Sequence, residues 1–173
     1  MKSFRYFSIP FLFLISAHFL AAHKTTYILH ANGYGPVEIG FTLNEASKAL
    51  KTKILPLNPR DDEESSCHYV SPLYQERTIG FMIQNKVITR IDVYTNAIFT
   101  DTGITVGMSA DKIFEVYGKR VIEKIHPYLG KRGQYLIIDI LPERRLIFET
   151  ENGKIRSFRI GFANPVNYIE GCL

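Results

Sequence analysis

The chain has 173 residues, a formal net charge of +4, 46% hydrophobic residues and two cysteines. So small a positive balance, spread almost evenly along the sequence, argues against nucleic acid as a partner. The length suits one domain with a sizeable core behind an amino-terminal leader.

That leader is the first predicted element. The chain opens MKSFRYFSIPFLFLISAHFLAAHK, with Lys2 and Arg5 ahead of an apolar run from Phe7 to Ala22 that Pro10 interrupts. The run is about 16 residues, short of the roughly 20 that cross a bilayer, and it ends on the small residues Ala21 and Ala22. Residues 1–22 are expected to be a signal peptide cleaved after Ala22, with an uncleaved anchor as the alternative. The residue directly after that site is His23 rather than cysteine, against a lipid anchor, and no later apolar run is long enough to span a membrane. The mature chain is therefore expected to be exported, periplasmic or secreted, with no integral membrane segment and two fewer positive charges.

Behind the leader the sequence aligns with itself. "VEIGFTLNEASKAL" (37–50) falls on "ITVGMSADKIFEVY" (104–117), which sets Gly40 on Gly107 and Thr42 on Ser109. The same spacing sets "IGFMIQNKVITRIDV" (79–93) on "LIFETENGKIRSFRI" (146–160). Two tandem repeats, 23–100 and 101–173, are expected to build one compact domain. Each reads as a short extended segment, a helix and three strands. Thr42 and Ser109 are placed as helix N-caps, and Gly118 as a helix stop. Strand alternation puts Ile79, Phe81 and Ile83 on one face. "QNKV" and "ENGK" carry hairpin-turn chemistry.

The expected class is thus α+β: two helix–three-strand repeats forming an antiparallel sheet with helices on one face and the other partly open to solvent. Arg90, Asp92 and Tyr94 fall on that open face, with Ser157 and Arg159 at the equivalent positions in the second unit. Met82 and Glu149 join from neighbouring strands. Tyr128, in "HPYLGKRG", is a candidate exposed aromatic anchor. These residues make the expected partner-binding surface.

Catalytic and cofactor chemistry is sparse. "GITVGMSADK" matches neither GxGxxG nor GxxxxGK[ST], and its copy carries Pro36 opposite Gly103, so no nucleotide site is expected. "DDEESS" (61–66) lacks the ligand spacing of a calcium loop. His23, His30, His68 and His126 have no second ligand at metal-binding spacing. Glu149 and Glu151 share a predicted strand face, where both would be solvated with ordinary acidity. Lys119–Arg120, Lys131–Arg132 and Arg144–Arg145 fall near predicted loops. No catalytic residue, metal or cofactor is assigned. Export makes Cys67 and Cys172 readable as a disulfide, worth roughly 4–5 kcal/mol in the chain-entropy model before strain.

"GPVEIGFTLNEASKAL" and "GITVGMSADKIFEVYG" resemble the strand–Gly–Met–Ser/Thr–helix opening of the β-lactamase-inhibitory-protein-like fold, which small outer-membrane assembly lipoproteins share. Residues 33–172 also resemble a group of short exported bacterial proteins of unknown function, through "GQYLIID" (133–139), "LIFETENGKIRSFRIG" (146–161) and "YIEGC" (168–172). The inhibitory proteins carry a helix-loop-helix per repeat, whereas one clear helix is visible here. The resemblance implies a two-repeat fold in or outside the cell envelope.

The expected function is a non-enzymatic exported module that recognises a protein partner, of inhibitor or envelope-assembly type, through the open sheet face. The alternative is a glycan- or anionic-polymer-binding protein using Tyr94, Tyr128 and nearby arginines. An unrecognised hydrolase is a third class.

Overall fold

The structure, a computed structural model, describes residues 27–59, 65–75 and 78–172. The expected signal peptide and Asp61–Glu64 of the acidic run lie outside the described residues.

Three two-residue strands come first. β1 (Leu29–His30), β2 (Gly33–Tyr34) and β3 (Val37–Glu38) form a small antiparallel sheet. Helix α1 (Leu43–Leu50) follows. Its start is a capping box: Glu45 N–H donates to the Thr42 hydroxyl at 3.4 Å, and Thr42 N–H donates to the Glu45 carboxylate at 2.8 Å. Two first-turn amides that would lack partners are thereby satisfied. Strands β4 (Ile54–Pro56), β5 (Cys67–Pro72), β6 (Ile79–Gln84) and β7 (Val87–Val93) complete the first half.

Helix α2 (Asp111–Tyr117) opens the second half and passes into a 3-10 turn at Gly118–Arg120. It starts one residue later than the sequence reading expects. Ala110 is the N-cap, without a side-chain hydrogen bond to the helix, while the Ser109 hydroxyl accepts from Asp111 N–H at 3.3 Å. Strands β8 (Ile122–His126), β9 (Gly130–Leu141), β10 (Arg144–Glu151) and β11 (Lys154–Phe162) follow, then a 3-10 turn at Pro165–Asn167.

β4 to β11 form one antiparallel sheet in the order β4-β5-β6-β7-β11-β10-β9-β8. The expected α+β class of helix–three-strand repeats is overturned. The described residues are mainly β, 47% strand and 15% helix, with an eight-stranded sheet, a three-stranded sheet and two short α-helices among them. The difference arises where short segments without strong alternation, 54–56 and 122–126, pair as sheet edges, and where 29–38 pairs with itself. Arg144 and Arg145, expected near a loop, are strand residues of β10, as Lys131 and Arg132 are of β9.

Hairpins join the long strands directly. Asn85 and Lys86 (φ 50° and 65°) turn β6 into β7, and Asn152 and Gly153 (φ 50° and 75°) turn β10 into β11. Positive φ at two successive residues gives the twist that two-residue hairpins need. Gly40 and Gly107 (φ 104° and 89°) also require the left-handed side of φ. Their N–H groups donate to Ile88 O and Ile155 O at 2.7 and 2.8 Å, tying the approach to each helix onto a long strand.

The face toward the helices is apolar and buried. Ile79, Phe81, Ile83, Ile91, Phe148, Phe158 and Ile160 are buried there with Ala46, Ile113 and Tyr117 from the helices. The face shared by Ile79, Phe81 and Ile83 is the core face, as alternation requires.

Candidate functional site: a polar sheet face under a carboxy-terminal strap

Residues paired directly across strands share a face, so register places the other side chains. Tyr69, Met82, Arg90 and Gly161 form one row across β5, β6, β7 and β11. Gly80, Asp92, Arg159 and Ile147 form the next. Tyr135, Glu149 and Ser157 lie beyond.

This face is not open. Residues 163–172 cross it as a strap, and Met82, Arg90, Asp92 and Arg159 are at most 4% exposed. An irregular segment laid on a sheet brings carbonyls that need donors, and guanidinium supplies several in a fixed plane. Arg90 Nη1 donates to Tyr168 O at 2.6 Å, while its Nε and Nη2 bind the Asp92 carboxylate at 2.6–3.0 Å. Arg159 Nε donates to Val166 O at 2.8 Å. Val166 is fully buried against Tyr135, Ile137 and Ile147. The Cys67–Cys172 disulfide fixes the far end of the strap to β5. The strap lies close to the sheet at Gly171 (φ 73°), where a Cβ would meet the Tyr69 ring at 2.9 Å.

Electrostatics follow from the packing. Burial works against the Arg90 charge, but the Asp92 carboxylate and its hydrogen bonds outweigh that and hold the guanidinium above its ordinary range. Burial, then the Asp92 charge, pushes the Tyr69 phenol well above its ordinary range, and its hydroxyl donates to Asp92 at 3.2 Å. At the other end Glu149 accepts from His126 Nε2 at 3.2 Å, and Arg159 Nη1 stands 3.8 Å away. His126 stacks on Tyr135 with 4.7 Å between centroids.

The His126–Glu149 pair invites comparison with a catalytic base. However, His126 Nδ1 accepts main-chain N–H bonds from Tyr128 and Leu129 at 3.1 and 3.3 Å. Its proton therefore sits on Nε2, facing Glu149, and the basic nitrogen is occupied. Glu151 belongs to a separate group with Arg132 and Arg156, across a bulge from Glu149. Among the described residues no three His, Cys, Asp or Glu side chains gather closely enough to hold a metal ion.

Of the sequence-predicted partner residues, Tyr94 and Tyr128 are exposed at 49% and 65%. Glu149 is half-buried, and Tyr128 donates its hydroxyl to Glu170 of the strap. Sequence reasoning missed Tyr168, Ile169 and Glu170, which stand at the crest of the strap. Among the described residues, three grooves border that crest. One of about 710 Å³ runs between Gln84, Tyr128, Asn167 and Glu170. One of about 370 Å³ is bounded by Ile125, Pro127, Ile147 and Ile169. The third, about 340 Å³, lies between Leu57, Tyr69, Tyr94 and Ile169. The signal that locates the strap is the cysteine pair, because Cys67 shares the face of Tyr69.

No protein-family model matches this chain, and no curated protein is detectably similar to it in sequence. In three dimensions it is similar to the uncharacterized protein yfeY from Escherichia coli, with a TM-score of 0.51 and 12% identity over 78% of this chain and 99% of that one. An extracellular protein containing a SCP domain from Bacillus anthracis gives a TM-score of 0.46 and 8% identity, over 72% of this chain and 44% of that one. The first likeness extends to the fold alone. No helix among the described residues is long and apolar enough to cross a membrane.

Proposed function

We propose that this chain is an exported, non-catalytic module that recognises a protein partner, of inhibitor or envelope-assembly type, at the rim of its carboxy-terminal strap. The observation that carries this is the set of exposed Tyr94, Tyr128, Tyr168 and Ile169 around three grooves, on a support held by a disulfide and two buried arginines. Rigid aromatic and apolar anchors of this kind dominate protein contacts. Export, to the periplasm or beyond the cell, is supported by the disulfide, a bond that persists in oxidising compartments. The resemblance of residues 33–172 to short exported bacterial proteins supports it too. The occupied Nδ1 of His126 favours binding over acid–base work.

A glycan or anionic polymer is the second reading. It is favoured by the 710 Å³ groove, where Gln84, Asn167 and Glu170 offer hydrogen-bonding groups beside the Tyr128 ring.

A photo-reactive side chain placed at Tyr128 or Ile169, followed by crosslinking in envelope extract, separates the two. A discrete protein adduct is expected from either position, that from Tyr128 being lost on Ile169→Asp, and none when the probe stands at Val116, which is 40% exposed on α2. Retention on peptidoglycan or lipopolysaccharide without any protein adduct favours the second reading. Equal labelling from all three positions contradicts both.

A further inference from the structure

The two edges of the large sheet are unlike. β4 is three residues long and ends in Pro56, which has no N–H to offer a neighbour. β8 is five residues long, contains no proline, and among the described residues pairs only with β9. Its first four residues, Ile122 to Ile125, are all exposed, with Ile122 at 48% and Ile125 at 72%. A strand exposed in this way carries a row of main-chain donors and acceptors facing solvent, a liability that proteins ordinarily blunt. Beside it lies the 370 Å³ groove, walled by Ile125, Pro127, Ile137, Ile147 and Ile169, with Lys124 and Arg159 at its polar margin. Arg159 is held by Val166 O and Glu149, whereas Lys124 has no acidic partner among the described residues.

We propose that β8 receives an extended segment of a partner protein by strand addition, with an apolar side chain in this groove and an acidic one against Lys124. The inference rests on the protein-partner reading and gives it a recognition mode. Main-chain hydrogen bonds along the edge supply affinity, and alternate side chains supply selectivity. The apolar requirement comes from the isoleucine walls and the acidic one from the unpaired ammonium. A second copy of this chain fits less well. Two-fold antiparallel pairing sets the central residue opposite itself, so centring on Glu123 or Lys124 puts like charges face to face.

The test selects displayed random peptides of about ten residues, long enough to cover an edge strand, on the disulfide-bonded chain. Selected peptides are expected to alternate apolar residues and to carry Asp or Glu. Lys124→Glu should weaken them by about tenfold or more, a difference equal to about 1.4 kcal/mol, and should strengthen versions with Lys in place of the acid. N-methylation of alternate residues gives two variants of one peptide, blocking one edge each. One should lose binding and the other keep it. No selected binder, or equal response to the two methylated variants, overturns the proposal, as does a dimer formed through β8 in sedimentation. The protein-partner reading survives such a failure if the Ile169-dependent adduct is still formed, and falls if that adduct is absent as well.

Discussion

The two faces of the large sheet are closed by opposite means. Toward the helices, Phe81, Phe148 and Phe158 are removed from water by other apolar side chains, and contact is non-directional. Toward the strap, Arg90 and Arg159 are equally buried, yet each is held by named acceptors at 2.6–3.0 Å. The first face tolerates adjustment, whereas the second depends on individual hydrogen bonds. Leaving one buried charge without its partner costs more than the pair contributes.

That contrast can be broken from the strap side most severely. Cys67→Ser with Cys172→Ser opens a loop spanning 105 residues of sequence. It should cost roughly 4–5 kcal/mol in denaturant unfolding by the chain-entropy model. Protease should then cut within residues 163–172 while the helix-covered core stays folded. Arg90→Ala should come next, at about 3–5 kcal/mol, because Asp92 is left buried and unpaired. Converting Asp92 to Leu alongside Arg90→Met should recover part of that loss. On the apolar face, Phe148→Ala should cost a similar 3–5 kcal/mol through its cavity, and no second substitution in the strap should recover it. A finding that Arg90→Ala is nearly neutral would remove the distinction between the faces.

A smaller effect separates the two helices. Thr42→Ala removes a reciprocal capping box and should cost about 1 kcal/mol. Ser109→Ala should cost less, since Ala110 rather than Ser109 is the cap of α2. Equal losses in thermal unfolding would contradict the assigned start of α2.

Alkaline titration probes the strap face most gently. Burial and the Asp92 carboxylate raise the folded Tyr69 phenol, so the folded chain holds that proton more tightly than the unfolded one. Its stabilisation is intact below about pH 10, where unfolded tyrosine begins to ionise, and is lost as pH rises toward the folded value. Tyr69→Phe should flatten the alkaline limb of the stability curve; an unchanged limb would show that Tyr69 is not its source.

Individual features of the architecture, though not its class, were legible in particular residues. Alternation at Ile79, Phe81 and Ile83 identified the core face. The alignment of Thr42 on Ser109 located the α1 cap, and export made Cys67 pair with Cys172. The short edge strands were not legible, since Ile54–Pro56 and Ile122–His126 are extended only because a long neighbour pairs with them. Arg90, Asp92 and Arg159 were placed on the correct face but read as solvated. Charge on a strand ordinarily means water, and the cover over Arg90 comes from residues 75 and 78 positions further on that no periodicity marks. The disulfide held the missing information. Cys67 lies on the same face as Arg90, so a bond to Cys172 obliges the last residues to cross it.

The claim that this polar face is closed is tested most directly by solvent exchange of arginine Nε–H groups, followed by nuclear magnetic resonance on the disulfide-bonded chain. Arg90 and Arg159 should exchange far more slowly than Arg120, which is exposed, and should speed up when the disulfide is removed. Arg90 and Arg159 exchanging as fast as Arg120 would mean that the strap does not cover the sheet.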